Sequence, residues 1–199
     1  MKVFLLSIAL FLISSISFSQ TFMHGAGVSI IVAAPEGSNT SIAPGLTYSP
    51  RINFIETESL SVSLGIPLSI GFSGNYSATS STYGGTKESN TLGLSLQVPL
   101  MINLNIGRGA TKENKGKVGY FVGTGYGYYQ GAYVVTQSDL YGNETKKSIS
   151  YNTAGPALNA GVRIGVGRAH KNIEIRLGYL KGVSSTKSDI FSLAALFNF

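Results

Sequence analysis

The stretch SLSVSLGIPLSIGF (Ser59–Phe72) carries a large apolar residue at every second position, from Leu60 through Val62, Leu64, Ile66, Leu68 and Ile70 to Phe72. Serine, glycine and Pro67 fill the places between. Strict period-2 alternation predicts a half-buried β-strand. No charge falls between Ser59 and Thr86, nor over Ser89–Gly107 or Val118–Ser138. Charged residues make up 12% of the chain, about half of the roughly 25% usual in soluble domains. A soluble barrel would turn the large apolar set inward and would need charge on the other face. Small serines and glycines make a poor solvent face but fit the crowded interior of a narrow barrel. The pattern therefore predicts an inside-out sheet, with its apolar face toward lipid and its edges closed on each other.

Eight alternating segments follow one another. They are His24–Ala34, Ile42–Phe54, Glu58–Phe72, Asn90–Ile106, Lys117–Val135, Ile149–Gly167, Asn172–Lys181 and Asp189–Phe199. Most reach the ~9–11 residues that a tilted membrane strand needs. The first, third, fifth and seventh connections are rich in Ser, Thr, Asn or Gly, and two of them, Ser73–Ser89 and Thr136–Ser148, are long. The second and sixth are tight, and Gly107–Gly116 is the exception on that side. Long loops at one end and short turns at the other are expected of a membrane barrel. The fold class is thus all-β: an eight-stranded antiparallel up-and-down transmembrane barrel in one domain, residues 20–199. Residues 1–19 read as a signal peptide. Lys2 leads an apolar core from Val3 to about Ile13, too short to span, and Ser17-Phe18-Ser19 supplies a cleavage site before Gln20. There is no cysteine, hence no disulfide and no lipid attachment through a thiol.

Aromatic residues fall into two groups along the strands. Tyr48, Phe72, Tyr128, Tyr179 and Phe191 are predicted toward the long connections, and Phe54, Tyr120, Phe197 and Phe199 toward the short turns. Two such bands suit the two water boundaries of a bilayer. Pro67 and Pro99 share the inward parity and cannot donate to a ladder, which predicts local bulges or bends there.

The segment FSLAALFNF ends in an aromatic residue with Phe197, Ala195, Leu193 and Phe191 at alternating positions before Phe199. With LQVPLMINLNI and YFVGTGYGYY, it resembles the strands of the bacterial outer-membrane β-barrel (porin-like) family, across essentially the whole mature chain. That resemblance implies a Gram-negative cell-envelope protein with both termini periplasmic. It also implies that these five C-terminal residues are the signal read by the outer-membrane assembly machinery. The implied partners are outer-membrane lipid and lipopolysaccharide, that machinery during insertion, and a surface ligand of the long loops.

Few residues offer chemistry. His24 and His170 are the only histidines, and both map to the short-turn side. Barrel enzymes of this family place catalysis at the other side, and a triad needs nucleophile, base and orienting group within reach; no enzyme is expected. GTGYGYYQG (Gly123–Gly131) imitates a phosphate loop but opens no helix, so Gly123, Gly125 and Gly127 read as space-makers in the barrel. No cofactor or metal site is expected. The formal charge of +6 invites a nucleic-acid reading. However, Arg108, Lys112, Lys115 and Lys117 crowd one connection with Glu113, and read as a solvated turn.

The sharper cluster is luminal. Arg163 and Arg176 share inward parity and lie roughly opposite each other across the sixth connection, with Glu174 beside them and Arg51 low on the second strand. An eight-stranded barrel has room only for side chains, so an ion-pair network filling the lumen is expected. The alternative is a narrow, weakly anion-favouring pore for ions or small solutes. Tyr76 and Tyr83 in the loop Ser73–Ser89 suit adaptable surface contacts, although the composition favours a disordered loop.

Overall fold

The structure is a computed structural model that describes residues 21–36, 40–80, 86–138, 144–167, 171–184 and 187–199. Residues 1–19, Tyr83, Arg168 and His170 lie outside them. The described residues form one antiparallel sheet that closes on itself. Its strands are β1 (Thr21–Met23), β2 (Gly25–Pro35), β3 (Ser41–Tyr48), β4 (Arg51–Glu56), β5 (Leu60–Gly65), β6 (Leu68–Ser80), β7 (Thr86–Gly107), β8 (Val118–Ser138), β9 (Glu144–Gly165), β10 (Asn172–Lys181) and β11 (Ser188–Asn198). The pairs β1/β2, β3/β4 and β5/β6 each make one stave broken at a single point, so the barrel has eight staves. β7 pairs with β8 on one side of the sheet and β11 with β2 on the other, which leaves no free edge around the wall. Closure satisfies the wall's backbone groups without water, as hydrocarbon requires.

The period-2 pattern translates directly into two faces. Leu64, Ile66, Leu68, Ile70 and Phe72 are exposed, and Ser61, Ser63, Gly65, Ser69 and Ser73 are buried in the lumen. On β7, Leu94, Leu100, Ile102, Leu104 and Ile106 face out, and Ser95, Gln97, Asn103 and Asn105 face in. A monomer in water rarely exposes so continuous an apolar surface; against lipid it is the ordinary arrangement.

Pro67 and Pro99 introduce no bulge. Gly65 pairs with Met101 and Ser69 with Gln97, so the register is unbroken and sets the two prolines opposite each other. The ladder is only interrupted, at Ile66 and Pro67. Because neither ring has an N–H, facing them confines the missing donors to one place, and parity continues unchanged beyond it. The register shift in the barrel lies instead between Asn53 and Ile55 of β4 against β5.

The expected long loops are largely strand. β6 and β7 remain paired up to Ser80 opposite Thr86, and β8 and β9 up to Ser138 opposite Glu144. β7 and β8 part company at Leu96 and Gln130, so above that level two separate ribbons project. The other two hairpins on this rim are short, ending at Ala33–Ser41 and Lys181–Asp189. The rim is therefore lopsided: tall over β6–β9 and low over β10, β11, β2 and β3.

Candidate functional site

The lumen is filled in layers. Nearest the hairpin rim, Ile31, Tyr129, Leu180 and Ile190, all fully buried, pack with Met101 and Tyr151. Here apolar side chains point inward because the alternation fails: Ile30-Ile31, Tyr179-Leu180 and Ile190-Phe191 each put an apolar residue on both faces. Tyr129 donates from its hydroxyl to Ser95 Oγ at 3.2 Å, which satisfies its one polar atom within the layer.

Below lies the charged layer, centred on the fully buried Glu174. Its carboxylate accepts from Arg163 Nε at 2.7 Å, Arg51 Nη1 at 3.4 Å and Asn198 Nδ2 at 3.1 Å, and from Arg176 Nη2. Three arginines thus meet at one carboxylate, Arg163 from the neighbouring β9, Arg176 from β10 itself and Arg51 from β4, far away in sequence. The residue directly across from Arg163 is Glu174, whereas Arg176 pairs with Gly161; the opposition of the two arginines anticipated by counting through the turn is off by two residues. That offset puts the acid between the bases. Arg176 Nη2 also donates to Ser49 Oγ at 2.8 Å, and Arg163 Nη1 to Asn105 Oδ1 at 2.9 Å. The Phe121 ring lies 4.3 Å from Arg163 Cζ and 5.6 Å from Arg176 Cζ, within cation–π range of both. A Cβ on Gly161 would meet that ring at 2.6 Å, so glycine there makes the room for it.

The turn rim is closed by the connection that looked exceptional. Residues 108–111 fold into the barrel mouth, and Arg108, Gly109, Ala110 and Thr111 are all buried. Arg108 is not a solvated turn residue: it donates to Lys171 O at 2.9 Å and Asn114 O at 3.1 Å. Two backbone carbonyls do the docking. Gly109 O accepts from Arg51 Nη2 at 2.9 Å and Arg163 Nη1 at 3.3 Å. Ala110 O accepts from Asn53 Nδ2 at 2.7 Å and Ser61 Oγ at 2.6 Å. Gly109 has a φ of +74°, and a Cβ there would meet Arg163 Cδ at 2.8 Å; only glycine combines that left-handed backbone with that approach. This plug, Phe121, Asn53, Ser61 and Asn105 were not singled out from the sequence. Inward parity was the available signal for the last four, on uncharged strands for Phe121, Ser61 and Asn105 and two residues from Arg51 for Asn53, whereas the plug has no periodic signature at all.

Outside, the aromatic residues divide between the rims with one change. Tyr48 belongs to the turn rim, where its hydroxyl is 3.3 Å from His24 Nδ1. His24 also packs on Phe199 at 4.3 Å and Phe22 at 5.4 Å between ring centroids. β3 runs from the hairpin rim toward the turn rim, so its last residue is near the latter. Toward the hairpin rim, Tyr179 packs on Phe191 at 5.0 Å and donates to Asp189 at 2.8 Å, which Lys181 also reaches at 2.9 Å. Phe191, Leu193, Phe197 and Phe199 are exposed on the outer face, with Ala195 half-buried among them. Among the described residues, no group of His, Asp or Glu is arranged to hold a metal ion.

No family model and no curated protein sequence matches the chain. Solved structures do. The chain is similar to Ail, the attachment invasion locus protein of Yersinia pestis, with a TM-score of 0.52 at 11% identity over 92% of this chain and 99% of that one. The same protein in complex with the heparin analogue sucrose octasulfate gives 0.53 at 15% identity, over 90% and 98%. Neisserial surface protein A gives 0.52 at 14% identity, over 90% and 97%. The chain therefore has the fold of the small eight-stranded outer-membrane β-barrels.

Proposed function

We propose that this protein is an integral outer-membrane barrel of the Gram-negative envelope that acts at its hairpin rim, in a structural or surface-interaction role, and not through its lumen. The observation that carries this reading is the three-layer obstruction: apolar packing, the Arg–Glu cluster and the plug lie one below another inside a wall only wide enough for side chains. The hairpin rim faces outward from the cell, and the turn rim, with both termini, faces the periplasm. Residues 1–19 are the leader removed on export. Phe191, Leu193, Ala195, Phe197 and Phe199 form the strand face read by the assembly machinery, and lipid and lipopolysaccharide surround the outer face.

The two ribbons supply the contact surface. In sequence the four hairpin segments of that side carry equal charge, Lys87, Lys146, Lys147, Lys181 and Lys187 against Glu36, Glu88, Asp139, Glu144 and Asp189. The surplus of positive charge sits in the lumen and at the turn rim. A rim of balanced charge, rich in Ser, Thr and Tyr, favours a ligand bound by adaptable hydrogen bonds and rings and gives no purchase for nucleic acid. We assign no catalytic role and no cofactor.

The second reading, a narrow path favouring anions, rests on one observation: three luminal arginines face a single glutamate. Single-channel recording on the refolded protein separates the two. Silent bilayers are expected. Stepwise conductance with anion preference, altered by Arg163→Ala or Arg176→Ala, would replace the first reading with the second.

A further inference from the structure

The charged layer does not balance. Glu174 is the only buried carboxylate among the described residues, against Arg51, Arg163 and Arg176, with Arg108 close below. Uncompensated charge in a low-dielectric interior is costly. The excess lies beside a void of about 30 Å³ lined by Arg176, Gln97, Asn159 and Ser192, with Pro67 and Pro99. By that measure one water needs about 10–15 Å³. Arg176 is nine-tenths buried. Its Nη2 makes both of its hydrogen bonds, and its Nε is buried without a partner. Gln97 and Ser192 spend their side chains on no partner among the described residues. On the same wall Thr47 donates its hydroxyl hydrogen to Leu68 O and Ser69 donates its own to Thr47 Oγ1. The void thus collects a guanidinium, the amides of Gln97 and Asn159 and the Ser192 hydroxyl, with no carboxylate on its lining; Asn159 Oδ1 is a buried acceptor without a partner.

We propose that this void is a binding site for a small monovalent anion of halide size. Water would satisfy the donors and leave the charge; a halide does both. By the same measure the void has room for about two to three waters, which suits a single small anion. The site is a structural one and is independent of whether the protein acts at its rim or conducts.

The test uses the refolded full chain. Crystals grown with sodium bromide are expected to show an anomalous peak within hydrogen-bond reach of Arg176 and Gln97. In solution, replacing gluconate (too bulky for the void) with chloride at constant ionic strength is expected to raise the unfolding midpoint by several degrees, with saturation. Gln97→Leu retains the Arg–Glu cluster and is expected to abolish that rise, which avoids dependence on an Arg176 variant that fails to fold. A void containing only water, a peak without saturable stabilisation, or a Gln97→Leu protein with an undiminished chloride response would each overturn the proposal.

Discussion

The two halves of the lumen are closed by opposite chemistry. Toward the hairpin rim the filling is Ile31, Tyr129, Leu180 and Ile190, held by shape and area. Toward the turn rim it is Arg51, Arg163, Arg176 and Glu174, held by directed bonds that also dock the plug. The first kind of filling tolerates a change of shape at constant volume. The second tolerates none of its members' loss, because removing one ion strands the others. The difference is between a layer that is degenerate in sequence and one that is nearly unique.

The sharpest way to expose it is an isosteric change. Glu174→Gln keeps the volume but leaves three guanidinium groups without their acid, and should cost about 3–5 kcal/mol in equilibrium unfolding. The matching change in the apolar half, Leu180→Met, should cost less than about 1.5 kcal/mol. If the two came out equal, the contrast would fail. Leu180→Ala should cost about 2–5 kcal/mol through lost burial and a cavity, which shows that the apolar layer is sensitive to volume and not to identity. The plug gives a subtler effect. Gly109→Val forces a side chain into a left-handed backbone position against Arg163 and should cost about 1–3 kcal/mol. Its cleaner signature is access: with the single cysteine of Ala110→Cys, thiol labelling should be slow in the parent and fast when Gly109→Val is added. Least affected of all should be Lys181→Met. It removes a solvent-exposed ion pair with Asp189, and the unfolding midpoint should stay within error.

How much of this was legible follows from what alternation can encode. Eight staves, closure and the faces of Leu60–Phe72 and Asn90–Ile106 are read from period 2, since only one register puts every serine inside. The Arg–Glu cluster is legible because four charges stand out in strands otherwise almost free of them. Pairing partners within it were not, because a turn of unknown geometry shifts the count. The bulge at Phe54 leaves no mark in composition, whereas Pro67 and Pro99, which do, turn out to need none once they face each other. Ile31, Leu180 and Ile190 were hidden by their apolar neighbours on the outer face. The plug was the least legible, for its docking groups are the carbonyls of Gly109 and Ala110, and a backbone oxygen belongs to no residue type.

The seam between β2 and β11 has a consequence for assembly. Its eleven residue pairs, from Gly25–Asn198 to Pro35–Ser188, join parts of the chain separated by 153 to 173 residues, the most distant pairing in the barrel. Loop-closure entropy must be met before those bonds form, and such topologies fold slowly. Until they do, β2 and β11 each present a row of bare amides and carbonyls, the template on which strands of other molecules add. The Arg163–Glu174–Arg176 contacts form within the β9–β10 hairpin, but Arg51 reaches Glu174 from the other side of the seam, so the cluster is completed only on closure. By this ordering the seam closes last, and the vulnerable period is the interval before it, when an escort that masks those two edges would matter most.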